Sequence, residues 1–284
     1  MKIGVAGYLP ADWRQIDIVA TRKVVAGGFS GGQVFFSDPL EAQASEVKRV
    51  KQAFDDAGLV VAQTNGWYEC LINPDERIRA EGIKGLSALV RLGRQLDTRF
   101  VYVRPGSMNP GGHWWPHKDN HSAVTFDRLV ATMKTVSAVA ESEGITLGIE
   151  GHVVSTLDTA QRIRDLLDAV GSKALKFNFD PVNFVGTVHD LYDPSALLNE
   201  AYDLLGKDMV ALHAKDCTIQ DAHVVHIVEV IPCTGHMYYE LLMTRWVECC
   251  PEGYFLIEHL PDDKVLLARE AIGRKAAQLG IPLE

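Results

Sequence analysis

Short apolar runs alternate with longer amphipathic stretches along the whole chain. Eight of the runs read as strands: residues 3–8, 33–36, 59–63, 100–103, 146–150, 175–180, 210–215 and 254–258. Between them, apolar positions recur at i, i+3 and i+4, which is the spacing of one helix face. That pattern is clearest over residues 39–57, 74–96, 125–143, 157–170 and 263–279. Asn73-Pro74 supplies a start signal for one of these helices, a polar cap followed by proline at the first helical position. Gly58, Gly144 and Gly253 stand just before strands, where a helix ends and the chain turns. No low-complexity linker or charge block interrupts the pattern, so the simplest reading is one continuous domain over residues 1–284.

Eight strands alternating with helices predict βαβ units and a parallel sheet. The strand count and the length of 284 residues favour a closed (β/α)8 TIM barrel over an open doubly wound sheet. A doubly wound nucleotide fold carries a glycine fingerprint after its first strand, whereas that turn here is GYLPADW. The glycine-rich GGFSGG at 27–32 precedes a strand instead of opening a helix, and reads as a loop.

Composition then narrows the function classes. With 28 Lys and Arg against 37 Asp and Glu, the net charge is −9. That balance argues against a nucleic-acid or anionic-membrane partner. No stretch approaches the ~18 apolar residues of a membrane span. The opening MKIGVAGYLP enters a strand at once and lacks a signal-peptide pattern. The five cysteines (Cys70, Cys217, Cys233, Cys249, Cys250) are irregularly spaced and form no CxxC. Neither a disulfide framework nor a zinc knuckle is indicated, and a reducing cytoplasm is expected.

In a barrel, catalytic residues sit at the carboxyl ends of strands and in the loops beyond. The last four strands end in ligating residues. ITLGIEGH offers Glu150 and His152, and KFNFDPVN offers Asp180 and Asn183. VALHAKD offers His213, Lys215 and Asp216, and FLIEHL offers Glu258 and His259. Singly, each has a plain structural explanation: a salt bridge for a glutamate, a packed core position for His213. In phase on four successive strands, they deliver Glu, Asp, His and Glu to one end of the barrel. Burying three carboxylates together would cost several kcal/mol each, a cost that a divalent cation removes. Three carboxylates and an imidazole are a hard, oxygen-rich set, suited to Mn²⁺, Mg²⁺ or Co²⁺ better than a thiolate-type zinc site. The expected cofactor is one divalent ion, Mn²⁺ first, with Mg²⁺, Co²⁺ or Zn²⁺ as alternatives.

GIEGH, FNFDPVN, LHAKD and FLIEH resemble the successive motifs of the xylose-isomerase-like TIM-barrel superfamily. In style they are similar to its sugar phosphate isomerase/epimerase branch, which includes ketose 3-epimerases, hydroxypyruvate isomerase and inosose dehydratase. The resemblance implies that Glu150, Asp180, His213 and Glu258 bind one divalent metal, and that Glu150 and Glu258 also carry protons. Two departures stand out. Thr234-Gly235-His236 replaces a Gly-Glu-Gly frequent in relatives, and no arginine lies within residues 214–230. The second departure weakens simple ketohexose epimerisation. Family habit implies a dimer or tetramer.

A metal that holds a ketone oxygen and a neighbouring hydroxyl acidifies the adjacent C–H and stabilises an enediolate. Two flanking carboxylates can then serve as base and acid. Reprotonation on the opposite face epimerises, reprotonation at the neighbouring carbon isomerises, and loss of a β-leaving group eliminates. The expected function is therefore a metal-dependent isomerase or epimerase of a small keto-sugar or keto-polyol. The alternative is a lyase on the same scaffold: a dehydratase, a keto-acid decarboxylase, or an enzyme cleaving an oxidised glycoside. Further substrate contacts are expected from Arg104, Trp114, His152, Asn183, Lys215 and His236. Lys215 either pairs with Asp216 at the rim or reaches a substrate hydroxyl, carboxylate or phosphate. Arg104 opens the long loop RPGSMNPGGHWWPHKDNH, whose tryptophans are suited to stack on sugar C–H faces as a lid. A phosphodiesterase of the endonuclease IV kind would need histidines on early strands, but strands two and three end in FFSDP and QTNGW.

Overall fold

The structure, a computed structural model, describes residues 1–284. Its strands are β1 (Lys2–Val5), β2 (Gly31–Phe36), β3 (Val60–Gly66), β4 (Phe100–Val103), β5 (Leu147–Ile149), β6 (Leu175–Phe179), β7 (Met209–His213), β8 (Asp216–Ile219), β9 (Ile227–Val230) and β10 (Tyr254–Ile257). Eight of them close into a parallel barrel, β1 to β7 in sequence with β10 between β7 and β1. The remaining two, β8 and β9, pair antiparallel as a hairpin that follows β7. Around the barrel run α1 (Ile18–Ala26), α2 (Ala44–Ala57), α3 (Glu76–Leu96), α4 (Ala123–Glu143), α5 (Ala160–Val170), α6 (Val188–Tyr192), α7 (Ser195–Leu205), α8 (Tyr239–Cys249) and α9 (Asp262–Gln278). This is the (β/α)8 TIM barrel that the strand count predicts. No helix is long and apolar enough to cross a membrane.

Several boundaries differ from the periodicity. GGFSGG is not wholly a loop: Gly31 and Gly32 begin β2. The helix expected from residue 39 starts at Ala44, and Leu40 ahead of it is exposed, so its apolar side chain contributes no core face. The start of α3 also falls later than Asn73-Pro74 suggests. Asp75 is its cap, accepting from the Arg77 N–H at 2.9 Å, while Asn73 Oδ1 holds the Asp75 N–H at 2.9 Å. Pro74 therefore precedes the cap. Gly58 and Gly144 end α2 and α4 in the left-handed conformation, as their positions before strands imply.

Strand alternation sorts side chains into two layers. Ile3, Val5, Val101, Val103, Phe255 and Ile257 join the large core beneath the helices. Ala62, Phe100, Tyr102, Ala211, Tyr254 and Leu256 form a separate core inside the barrel, small residues set against large ones. The same alternation carries Arg104, Glu150, Asp180 and Glu258 inward at the strand ends. Two bulges adjust the phase. Ala62 is the extra residue in β3 against β2, and Val210 the extra residue in β7 against β6. Each re-aims the residues beyond it, which are Gln63 in one case and His213 in the other.

Space inside the barrel is tight at its glycines. A Cβ on Gly148 would lie 2.6 Å from Phe100 Cδ2 and 3.1 Å from Val210 Cγ2. Gly148→Ala is therefore expected to destabilise the fold by about 1–3 kcal/mol through overpacking. Urea unfolding would show it as a lower midpoint with an unchanged slope.

Candidate metal centre

Glu150, Asp180, His213 and Glu258 follow or end β5, β6, β7 and β10. Each offers one ligand atom, and the four atoms lie within 4.8 Å of one another. Glu150, Asp180 and His213 are fully buried. His213 Nδ1 stands 3.2 Å from Glu150 Oε1 and 3.0 Å from Glu258 Oε1. Lys215 is not a rim residue, being only 4% exposed. Its ammonium sits 2.7 Å from Asp180 Oδ2 and 2.8 Å from Glu258 Oε1, with Glu229 Oε1 at 3.6 Å. Asp216 does not pair with it. That carboxylate accepts the N–H groups of Cys217, Gly235 and Met237 at 2.8–2.9 Å and anchors the chain beyond the hairpin.

A second layer holds the four ligands in place. His213 Nε2 lies 3.1 Å from Gln63 Oε1, and Gln63 Nε2 donates to Gln33 Oε1 at 2.5 Å. This chain ties Nε2 to an acceptor and leaves Nδ1 facing the carboxylates. Tyr102 donates its hydroxyl to Glu150 Oε2. Asn183 donates to Glu150 Oε1 at 3.1 Å, and Asn178 Nδ2 lies 3.2 Å from the His213 ring. Gln63, Asn178 and Tyr102 carry no motif. The one signal for them is a polar group inside an otherwise apolar strand, as in VVAQTNG and LKFNF.

The electrostatics follow from burial set against charge. Burial would depress His213, but Glu258 and Glu150 outweigh it and raise its pKa to about 10. Burial would raise Glu258, but His213 and Lys215 hold it well below the usual carboxylate range, and Glu150 is lowered in the same way. For Asp180 burial wins over Lys215, with Glu150 and Glu258 adding to it, and the pKa reaches about 7. Asp180 Oδ2 is moreover buried without an aligned hydrogen-bond donor, since Lys215 meets it as a charge only. A carboxylate oxygen that meets only the Lys215 ammonium, beside two more carboxylates and an imidazole nitrogen, fits a divalent ion with oxygen preference.

Glu150 and Glu258 of the cluster line a cavity of about 500 Å³. Arg104, Trp114, His152, Asn183 and Lys215 all line it, as the sequence leads one to expect. His236 does not. Its ring packs edge-on against Tyr192 at 5.3 Å, and its N–H donates to Cys217 O at 2.9 Å. The grip of Asp216 on Gly235 and Met237 fixes the backbone on either side of it. Glu229, from β9, and His259 line the cavity instead. His259 adopts a φ of +58°, and its Nδ1 lies 3.3 Å from Glu229 Oε1. The loop from Arg104 onward is pinned by the buried Asn120, which donates to Val154 O at 2.8 Å and accepts the Met108 N–H at 2.7 Å. Trp114 and Trp115 thus form a fixed wall, with Trp114 5.9 Å from the His152 ring. His223 and His226 are exposed at the hairpin tip, and all five cysteines are free thiols.

Fold and site together define a (β/α)8 barrel that presents a Glu–Asp–His–Glu cluster, able to hold a metal ion, at the carboxyl end of its strands. The chain belongs to the xylose isomerase-like TIM barrel family, whose model matches residues 22–243. No curated protein matches the sequence. Among solved structures it is similar to 3-keto-D-glucoside 4-epimerase from E. coli, with 17% identity, a TM-score of 0.71, and 98% of this chain and 99% of that one covered. It is likewise similar to D-psicose 3-epimerase from Clostridium cellulolyticum H10, with 17% identity, a TM-score of 0.70 and 99% of both chains covered. A xylose isomerase-like TIM barrel protein from Mycobacterium smegmatis, in complex with magnesium, matches with 16% identity and a TM-score of 0.73 over 98% of this chain and 96% of that one.

Without an ion, His213 is protonated at neutral pH, because its pKa is raised to about 10. A metal-ligating histidine must be neutral, so an ion has to expel that proton. Calorimetry of Mn²⁺ uptake in buffers of different ionisation enthalpy is expected to show release of at least about one proton per ion near pH 7. Apparent affinity should rise about tenfold per pH unit from about pH 7 to about pH 9.

Proposed function

We propose that this protein is a divalent-metal-dependent isomerase or epimerase of a keto-sugar or keto-polyol. The observation that carries the reading is the convergence of Glu150, Asp180, His213 and Glu258 within 4.8 Å of one another, with Glu150 and Glu258 lining a substrate-sized cavity. An ion held by these four would polarise a ketone oxygen and its neighbouring hydroxyl. Mn²⁺ suits the donor set first, with Mg²⁺, Co²⁺ or Zn²⁺ as alternatives. The names of the structurally similar 3-keto-D-glucoside 4-epimerase and D-psicose 3-epimerase support a carbohydrate substrate.

The chain's own groups then move the proton. Glu150 and Glu258 approach the centre from β5 and β10, with the other two ligand strands between them, and both are carboxylates at neutral pH. One takes the proton from the carbon beside the ketone, leaving an enediolate of the substrate; the other hands the opposite face a proton drawn from solvent, and the first gives its own up to solvent. Tyr102 and Asn183 fix the orientation of Glu150. Lys215 moves off Asp180 and Glu258 when an ion takes its place, and its ammonium becomes free for a substrate oxygen. The tryptophan wall offers apolar faces to the C–H side of a sugar and keeps water from the reacting carbon.

One observation favours the lyase alternative. His152 and His259 line the same cavity, yet a two-carboxylate proton shuttle requires neither. His259, whose pKa its Glu229 partner raises, has the proton to give a leaving group.

Dialysis against divalent metals followed by elemental analysis is expected to find about one ion per chain, and almost none in the Glu150→Gln/Asp180→Asn double variant. The loaded protein should exchange a C–H proton beside the ketone of its substrate for deuterium in D₂O. An epimer or isomer as product supports the first reading, and a cleaved fragment supports the lyase. Absence of bound metal from both proteins would overturn the mechanism.

A further inference from the structure

We propose that the substrate carries an anionic group, a carboxylate or a phosphate, and that Arg104 binds it. The inference rests on the reading of the cavity as a substrate site. Arg104 ends the inner-face series Phe100, Tyr102, Arg104 and lines the same cavity as the ligand cluster. It is only 6% exposed. Its guanidinium lies 4.3 Å from the centre of the Tyr68 ring and 5.2 Å from that of Trp67. Those rings attract a cation through their faces but give it no hydrogen-bond acceptor. Nε and Nη2 are buried and have no hydrogen-bond partner.

The charges nearby do not answer it. Each carboxylate of the cavity is already engaged: Glu150 by Tyr102, Asn183 and His213, Asp180 and Glu258 by Lys215, Glu229 by His259. His113, packed 5.4 Å from Trp67, is kept neutral first by burial and then by Arg104 itself. A buried, unpaired cation is costly, and natural proteins keep one chiefly where a ligand completes it. Its planar fork matches a carboxylate or a phosphate through two parallel hydrogen bonds. A sugar hydroxyl could accept one such bond but would leave the charge unbalanced. The cavity is thus lined both by Glu150 and Glu258 of the cluster, suited to a keto-hydroxyl pair, and by Arg104 just after β4, suited to an anionic terminus. The substrate class this fits is a sugar acid or a sugar phosphate.

The test uses EDTA-treated protein, so that a ligand cannot bind by chelating a metal. Tryptophan fluorescence is titrated with D-gluconate, inorganic phosphate and neutral D-glucitol, on the parent and on Arg104→Met and Arg104→Lys. At least one anion should bind the parent saturably, and about tenfold or more weaker to Arg104→Met, with Arg104→Lys between them. D-Glucitol should bind weakly and equally to all three. Saturation by D-gluconate alone assigns a carboxylate, and saturation by phosphate alone assigns a phosphate. Thermal melts give a second readout. The anion should raise the Tm of the parent and not that of Arg104→Met, whose ligand-free Tm should match or exceed the parent's. Should Arg104→Met fail to fold, the comparison of parent with Arg104→Lys decides. Absence of anion binding to the parent, equal anion binding by the variants, or glucitol binding as tight as the anions would overturn the proposal. A protein that holds one metal ion and ignores anions would lose only this inference. One that binds anions and no metal would lose the isomerase reading instead.

Discussion

Three carboxylates cannot share a buried site unless positive charge comes with them, and most of the site's architecture answers that constraint. Glu150, Asp180 and Glu258 reach the inner face because strand alternation leaves them no other direction. Without an ion, a proton on His213 and the ammonium of Lys215 hold the cluster together. Neither compensates fully. Asp180 keeps an unaligned buried oxygen and a pKa raised to about 7, the mark of a group still short of positive charge. The hydrogen bonds from Tyr102 and Asn183 to Glu150, and the Gln33–Gln63–His213 chain, fix the donor atoms in advance. Preorganisation of this kind lets a bound ion meet its ligands without paying to order them.

The cavity is electrically two-sided. Its floor is acidic and is served by two glutamates whose pKa values are held low. Its β4 side carries the Arg104 guanidinium against two aromatic faces, with two donors unanswered. Between them stands a tryptophan wall that Asn120 ties to the loop after β5, so the space is walled before any substrate arrives. A molecule with polar chemistry at one end and negative charge at the other would satisfy both ends at once.

Much of this was legible in the sequence, for a physical reason. Period-2 alternation runs straight through β5, β6 and β10, so the polar residues that end those strands have only one face to occupy. That is why Glu150, Asp180 and Glu258 could be placed by counting. Gln63 and His213 lie beyond single-residue bulges, which shift the phase and leave no mark on the pattern. His213 is still legible as a ligating residue at the end of VALHAKD, whereas Gln63 lies inside β3 and carries no such signal. Glu229 enters the cavity from the β8–β9 hairpin, which lies outside the eight strands counted for the barrel. His259 enters because its backbone turns left-handed, a conformation no side-chain pattern announces. Lys215 illustrates the converse: its position in LHAKD was visible, but its burial depends on where Asp180 and Glu258 come to rest. His236 lay close in sequence to the late strands, yet the Asp216 anchor fixes the backbone around it away from the cavity.

A divalent ion held by Glu150, Asp180, His213 and Glu258 would displace the Lys215 ammonium that now pairs with Asp180 and Glu258. Crystals soaked in Mn²⁺ and measured at an anomalous wavelength test it directly. The expected result is a single peak about 2.0–2.3 Å from oxygens of Glu150, Asp180 and Glu258 and from His213 Nδ1, with the Lys215 ammonium withdrawn from Asp180 and Glu258. A map without that peak, and with Lys215 still seated between the two carboxylates, would contradict it.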